Sequence, residues 1–169
     1  QAGYKAPGFP MKPRLYVGYD YASGDDDPAD GKVETFNQLF PLAHAYFGAV
    51  DVIGRQNISD VSAGLTLSPL AKVSVKLEGH LFERADTHDA LYDVGGNVTR
   101  AGDTGSSREI GREINLIADY KWNAHLLLQA GVCRFFAGDF IAESGASDVV
   151  AETMGEVIAD LERCRAGQS

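Results

Sequence analysis

The residues with the clearest potential for chemistry are acidic and lie in one glycine-bearing segment of the chain. Asp25, Asp26, Asp27 and Asp30 follow one another closely there. Carboxylate oxygens are ligands that Ca²⁺ prefers, but this spacing does not follow the EF-hand pattern and no glutamate stands at its closing position. We therefore expect a solvated acidic loop and no metal site.

Histidine, cysteine and glycine patterns give no sign of catalysis. None of the four histidines is spaced as H-x-x-x-H or H-E-x-x-H; they are His44, His80, His88 and His125. The chain has no nucleophile elbow, phosphate-binding loop or dinucleotide fingerprint. Cys133 and Cys164 form no C-x-x-C motif, so only a single bridge between them is left open. We predict that the protein is not an enzyme and has no cofactor.

Composition sets the class of protein. The chain has 169 residues, of which 44% are hydrophobic and 23% are charged, so it has enough apolar residues for one folded domain. Its formal net charge is −9. A nucleic-acid partner needs a basic surface, and we therefore expect none.

A further group of polar residues recurs at every second position of apolar-rich segments. Alternation with a period of two predicts β-strands that have one apolar and one polar face. The polar positions contain four basic and four acidic side chains, so their charges cancel. These candidates for lining a lumen are Arg14, Asp20, Lys76, Glu78, His80, Arg84, Glu113, Asp119, Lys121 and Gln129.

The alternating segments predict five strands, at residues 14–22, 60–68, 73–82, 113–122 and 125–137. Residues 44–53 are a candidate for another strand, although their pattern is mixed. Short turns at 69–72 and 122–124 contrast with long polar links at 23–56 and 85–108. Short turns on one side and long loops on the other are typical of outer-membrane barrels, and they also occur in some soluble β-sandwiches.

The C-terminal segment has a different period. Val150, Met154, Val157 and Leu161 recur at helical spacing, with Ser147 as a candidate N-cap. This pattern predicts an amphipathic helix over residues 148–164. The chain is accordingly divided into a β-barrel segment at 1–146 and a helical tail at 147–169.

The apolar strand faces fit either a membrane or a dry protein core. Aromatic residues stand towards the strand ends, as in the interfacial girdles of membrane barrels; they include Tyr19, Tyr21, Tyr120, Trp122 and Phe136. Barrels of this kind need at least about eight strands. The pattern alone therefore predicts an all-β, antiparallel fold with a C-terminal helix, and it leaves both an incomplete membrane barrel and a soluble β fold open.

Several uncommon strings occur in a consistent order along the chain. The first group is GYDYASGD at 18–25, TFNQLFP at 35–41, HAYFG at 44–48 and RQNI at 55–58. The second group is REINL at 112–116, Tyr120-Lys121 and FFAGDFI at 135–141. Together these strings resemble the alginate-export family of bacterial outer-membrane proteins, from about residue 3 to residue 141.

The region of resemblance is the C-terminal part of the family's barrel. The resemblance therefore implies an all-β fold, with antiparallel up-and-down strands of an incomplete outer-membrane-type barrel, to which the predicted C-terminal helix is added. Missing N-terminal strands or self-association would complete the barrel.

The resemblance implies a porin-like channel in the bacterial outer membrane, with the lipid bilayer and a polar or polysaccharide solute as partners. Transport would be passive. The family's final membrane strand is replaced here by the predicted acidic helix. The zero charge sum of the polar face does not support alginate itself as the solute, because a polyanion favours a basic pore. The alternative is a soluble β-sheet domain that binds or has a structural role, without channel activity.

Overall fold

The computed structural model describes residues 1–42 and 46–145, and the backbone of 151–156. The regular secondary structure of these residues is almost entirely strand. The elements are β1 Ala2–Lys5, β2 Arg14–Ala22, β3 Ile58–Leu70, β4 Val73–Arg84, β5 Leu91–Tyr92, β6 Val98–Arg100, β7 Glu109–Lys121, β8 Leu127–Ala137, α1 Asp139–Ser144 and β9 Ala151–Glu156.

Seven of these strands form one antiparallel sheet in the order β1-β2-β3-β4-β7-β8-β9. β5 and β6 form a separate hairpin within the connection from β4 to β7. The sheet is not closed, because β1 and β9 are its two edges. This arrangement confirms the prediction of an all-β, antiparallel, incomplete barrel-like fold.

The five alternating segments all form strands, and β2 has the predicted limits. β3 and β7 begin earlier than predicted, at Ile58 and Glu109. The elements that sequence reasoning missed are short: β1, the β5–β6 hairpin and α1. Residues 46–53 form a loop and not the additional strand that we considered, and 44 and 45 lie outside the described residues.

The predicted C-terminal helix is wrong over residues 151–156. This segment is β9, which pairs with β8 from Gln129↔Glu156 to Arg134↔Ala151. The free edge of β8 offers backbone hydrogen-bonding groups, and pairing with them satisfies both chains. The rest of the predicted helix, residues 148–150 and 157–164, lies outside the described residues.

One hydrophobic core lies on the side of the sheet that carries the charged residues. It forms where the long connections fold back over the sheet, and α1 contacts β7 and β8 at the same end. The core consists of Ala22, Phe47, Ala49, Val50, Ile53, Ile58, Phe82, Leu91, Ile110, Cys133, Phe135 and Phe140. Within the described ranges, no helix has the length and apolar character that spanning a membrane would require.

Candidate functional site

Strand register brings the ten lumen candidates onto one face of the sheet, which we call the polar face. Residues that are direct partners in neighbouring strands point to the same side. Asp20 is aligned with Asp60, His80 with Glu113, and Asp119 with Gln129. All ten candidates point to the same side of the sheet in this register, although they come from four strands.

The opposite side of the sheet, which we call the apolar face, is exposed. Leu15, Val17 and Tyr19 of β2 are 60%, 61% and 64% exposed, and Leu81 of β4 is 56% exposed. Val61, Ile114, Leu116 and Val132 continue this face across β3, β7 and β8. Exposed apolar area of this extent marks an interaction surface in a folded protein.

The aromatic residues of the apolar face lie near its two ends. Tyr19 and Tyr21 are near the end with the long connections. Tyr120 and Trp122 are at the end with the short turns, where their rings meet edge to face with centroids 6.0 Å apart. Strand pairing places Phe136 in the same row as Tyr19, and the guanidinium of Arg134 lies 4.8 Å from the centroid of the Phe136 ring.

The polar face is buried at one end and accessible at the other. His80, Glu113 and Arg84 are almost completely buried near the long connections. Towards the short turns, Asp119 and Gln129 are only partly covered and Lys121 is exposed. Gln129 donates its amide hydrogen to Asp119 Oδ1 at 2.8 Å. The accessible half of the polar face can therefore contact a solute directly, whereas the buried half is covered.

A continuous network of polar contacts joins the centre of the polar face. Glu78 accepts hydrogen bonds from the Tyr16 hydroxyl and, at 2.8 Å, from Lys76 Nζ. His80 joins two carboxylates, because its Nδ1 lies 3.0 Å from Asp60 Oδ2 and its Nε2 lies 3.6 Å from Glu78 Oε2. These pairs partly compensate for the removal of charged groups from water. Asp60 and Tyr16 were not among the sequence candidates, although both occupy polar-face positions of alternating strands.

A loop of residues 46–54, which we call the inward loop, lies against the polar face. Glu113 Oε1 accepts hydrogen bonds from the backbone N–H groups of Ala49 at 2.6 Å and Val50 at 3.2 Å. Gly48 has φ +87°, and a Cβ there would overlap the Glu113 carboxylate. A glycine is therefore required where the loop meets the sheet.

Arg55 anchors the end of the inward loop. Its guanidinium donates to Asp20 Oδ2 at 2.7 Å and lies 4.9 Å from the ring centroids of both Tyr46 and Phe47. Arg55 thus couples a lumen candidate on β2 to the loop through charge and cation–π contacts. Alternation could not have identified Arg55, because it lies outside every predicted strand.

Arg84 is fully buried and organises the connection from β4 to β7. Its guanidinium donates to the carbonyl oxygens of Thr87, Asp103 and Ser107 at 3.0, 3.2 and 2.7 Å. It also lies 3.8 Å from the ring centroid of Phe140 in α1. Arg84 has the predicted orientation, but it holds backbone carbonyls together and does not face open space.

Asn57 and Asp89 join the two long connections to each other. Asn57 Nδ2 donates to the carbonyl oxygens of Asp86 and Ala90 at 2.9 and 3.0 Å, and Asn57 Oδ1 accepts from the Asp86 N–H. Asp89 Oδ2 accepts from the Asp25 N–H at 3.0 Å and from the Thr35 hydroxyl. Sequence reasoning missed both residues, because neither belongs to an alternating segment.

The acidic segment assembles only in part. Carboxylate oxygens of Asp25, Asp26 and Glu34 lie within 4.8 Å of one another, whereas Asp30 pairs with Lys32 at 2.6 Å. Asp25 Oδ1 accepts the backbone N–H of Asp27. Asp25 is buried, whereas Asp26 and Glu34 are exposed.

The three histidines that the structure describes do not come together. His80 is on the polar face beside Asp60, and His88 Nδ1 lies 2.8 Å from Asp86 Oδ1 in the connection after β4. His125 belongs to the turn before β8, and His44 lies outside the described residues. Cys133 is buried on β8, aligned with Asn115, while Cys164 falls beyond the described part of the chain.

Comparison with known proteins gives one family. The model of a family described as "Alginate export" matches residues 1–154, which is most of the chain. No curated protein is similar enough to this chain to count as a match.

Proposed function

The chain belongs to the alginate-export family, and from that premise we propose that it forms part of the wall of a channel in the bacterial outer membrane. Polysaccharides or small polar solutes would pass through this channel passively. The apolar face would contact lipid and the polar face would line the lumen. The proposal includes no catalytic step and no cofactor.

The observation that supports this proposal most strongly is the inverted polarity of the sheet. A soluble sheet covers its apolar face and leaves its charged face in water. Here Leu15, Val17 and Leu81 are exposed while Asp60 and Glu113 are buried. Hydrocarbon is a favourable environment for such an apolar face, and a wet lumen is favourable for the opposite one.

The size of the apolar band agrees with a bilayer. The aromatic rows at the two ends of the apolar face are aligned, through strand pairing, with Val73 and Glu83 of β4. That stretch of strand covers about 33 Å at about 3.3 Å per residue. At a strand tilt of about 40° it spans about 25 Å, the height of the apolar band in membrane barrels.

Closure of the channel needs strands beyond those of this sheet. Seven strands are fewer than the roughly eight of the smallest barrels. The edges β1 and β9 offer backbone groups that additional strands would pair with. We propose that these strands come from elsewhere in the same protein or from another copy of it.

The core under the long connections favours a second candidate function. It packs the inward loop and α1 onto the polar face, as the cover of a soluble β-sheet domain would. Such a domain would bind a partner or have a structural role without conducting ions. It would stay in solution without detergent, whereas a channel with a lipid-facing band would aggregate.

Conductance in planar lipid bilayers tests the channel proposal. We expect the full-length protein, refolded in detergent, to produce stepwise ion currents. Folding would be verified beforehand by a shift in electrophoretic mobility between unheated and boiled samples. A correctly folded, inserted protein that carries no current would contradict the proposal, and solubility in the absence of detergent would support the second candidate.

A further inference from the structure

We propose that Arg112 and Arg134, which we call the arginine pair, bind the phosphate group of a membrane lipid on the outer surface of the channel wall. The proposal rests on the channel function above, because it needs the apolar face to meet a bilayer, and it adds a lipid partner for that face. The arginine pair lies towards the long connections. Outer-membrane barrels have their long loops outside the cell, so the lipid belongs to the outer leaflet.

The two arginines are neighbours on the apolar face. Arg112 of β7 is aligned with Phe136 of β8, and Ile114 of β7 is aligned with Arg134. Arg112 and Arg134 are therefore diagonal neighbours across one strand pair, a separation at which long side chains can reach a shared group. Both residues are exposed, and the side chain of Arg112 is 62% exposed. A ligand can thus approach both from outside the sheet without displacing any part of the chain.

Arg134 lies unusually deep in the apolar band for a charged residue. In β2, β3, β4, β7 and β8, every apolar-face residue from the row of Leu116 to the short turns is uncharged. Strand pairing aligns Arg134 with Gly79, four residues from Glu83 at the end of the band. This distance is about 13 Å along the strand, or about 10 Å in depth at a tilt of about 40°. A cation at that depth is costly unless its side chain reaches the polar boundary or an anion.

The side chain of Arg134 reaches towards the level of the lipid head groups. Its guanidinium lies 4.8 Å from the centroid of the Phe136 ring. Phe136 is in the row of Tyr19 and Arg112, which is one row nearer the long connections. A stem that crosses apolar surface and a charged head at the boundary are typical of a snorkelling arginine. Both guanidinium groups therefore belong to the level of the aromatic row, where lipid head groups begin.

The chemistry of the arginine pair fits a phosphate group. Guanidinium groups donate paired hydrogen bonds to phosphate oxygens, and a phosphate has enough oxygens to accept from both arginines. Arg112 Nη2 lies 3.8 Å from Glu109 Oε1, and a contact between groups as exposed as these contributes little. Glu83 and Glu109 are aligned with each other one row further out. A phosphate between the arginines would therefore lie on the bilayer side of both carboxylates.

Native mass spectrometry of the full-length protein in detergent tests the site. We would titrate delipidated protein with dioleoyl phosphatidic acid and with dioleoylglycerol, which has the same acyl chains but no phosphate. We expect the first phosphatidic acid molecule to bind at least about tenfold more tightly, the effect of one charge-assisted hydrogen bond. A double variant, Arg112→Gln with Arg134→Gln, should bind the two lipids equally.

The controls separate the site from net charge, from the fold and from free phosphate. Lys32→Gln removes one positive charge in the connection after β2, where the Lys32 side chain is 71% exposed. We expect its preference for phosphatidic acid to stay within about twofold of the wild type. Folding would be verified by the mobility shift on boiling, and if the double variant does not fold, Arg112→Gln alone should still weaken phosphatidic acid binding. Inorganic phosphate should not displace the lipid, because it lacks the acyl chains that bind the apolar face.

The outcomes distinguish this proposal from the channel function. Equal binding of the two lipids by the wild type, a preference that persists in the arginine variants, or displacement by inorganic phosphate would overturn the lipid site. The arginine pair lies outside the lumen, so its variants should carry the wild-type current in planar bilayers. A folded protein that carries no current, but prefers phosphatidic acid through the arginine pair, would overturn the channel function and leave the lipid site in place.

Discussion

Glu113 is the residue at which the sheet and the inward loop meet. Side chains of a strand alternate strictly, and strand pairing places Glu113 on the same side of the sheet as Glu78 and His80. The inward loop contacts Glu113 from more than 60 positions away in sequence. Alternation within each strand therefore predicts the side of the sheet on which Glu113 lies, but no local pattern encodes the loop contact that buries it.

Gly48 and Gly31 provide a matched pair of substitutions. Both have positive φ, at +87° and +81°, but a Cβ at Gly31 would meet nothing within 4 Å while one at Gly48 would overlap Glu113. We expect Gly31→Ala to lower the free energy of unfolding by about 1 kcal/mol, and Gly48→Ala to lower it by about 3 kcal/mol or more.

The measurement is urea-induced unfolding of the full-length protein in lipid vesicles, with tryptophan fluorescence as the signal. Equal losses for the two glycine variants would show that the inward loop does not press against Glu113. Insertion and conductance of Gly31→Ala serve as the check that the variant has the native fold.

Asp93 gives a pH dependence outside the proposed membrane-spanning strands. The backbone N–H and side-chain amide of Asn97 donate to its carboxylate, which holds the pKa of Asp93 below its ordinary value of 3.8. The ionised Asp93 carboxylate therefore stabilises the β5–β6 hairpin fully above pH 3.8, its ordinary pKa. This stabilisation is lost as the pH falls through the lower pKa of the folded protein. An NMR titration of the Asp93 carboxyl should have a midpoint below that of unfolded protein, and an equal midpoint would contradict the contact.

At the scale of elements, long alternating segments were recognised and short ones were not. β2, β3, β4, β7 and β8 have 9 to 13 residues each, which is enough for a period of two to be clear. The two residues of β5 and the three of β6 are too few for any period. Their pairing follows from the turn between them.

The segment at β9 shows why a helical period can mislead. Val150 and Met154 are four apart, a spacing that places them on one face of a helix and equally on one face of a strand. The edge of β8 decided between these structures, because it supplies backbone partners along residues 129–134. Such a long-range partner cannot be deduced from the segment itself.

Opposite faces of the sheet should tolerate charge differently. Leu116 of β7 is on the exposed apolar face, in the same row as Leu15 and Leu77, about midway along the band. We expect Leu116→Arg to lower the free energy of unfolding in vesicles by about 2–4 kcal/mol, the cost of a cation near the bilayer midplane. Gln129→Arg, on the polar face, should change it by less than about 1 kcal/mol. Equal effects, or a larger effect at Gln129, would argue against a lipid-facing apolar side.

At the scale of the whole molecule, the main feature is the difference in polarity between the two sides of the sheet. Charged residues lie mainly in the loops and on the polar face, while the other side of the sheet has few of them, and Glu83, Arg112 and Arg134 lie towards the long connections. Composition alone could not reveal this separation, because the apolar fraction is ordinary. The separation of the two sides depends on strand register, because the register determines which residues of different strands share a side of the sheet.

The open edges of the sheet and the inward loop also affect the molecule as a whole. A sheet whose edges are unpaired tends to associate with further strands. The inward loop narrows the space over the polar face on the side of the long connections and leaves the side of the short turns open. In the proposed channel this would make one end of the lumen selective and the other wide.

A nitroxide scan of β7 tests the central claim, that the apolar face meets lipid and the polar face meets water. Labels at residues 112–120 of the full-length protein in vesicles, with both cysteines replaced by alanine, would be probed with oxygen and with a water-soluble nickel complex. We expect oxygen contact to peak at 114, 116 and 118, and nickel contact to peak at the alternate position 119, where the face is accessible. Apolar-face labels that neither reagent reaches would place that face in a dry protein interior and contradict the account.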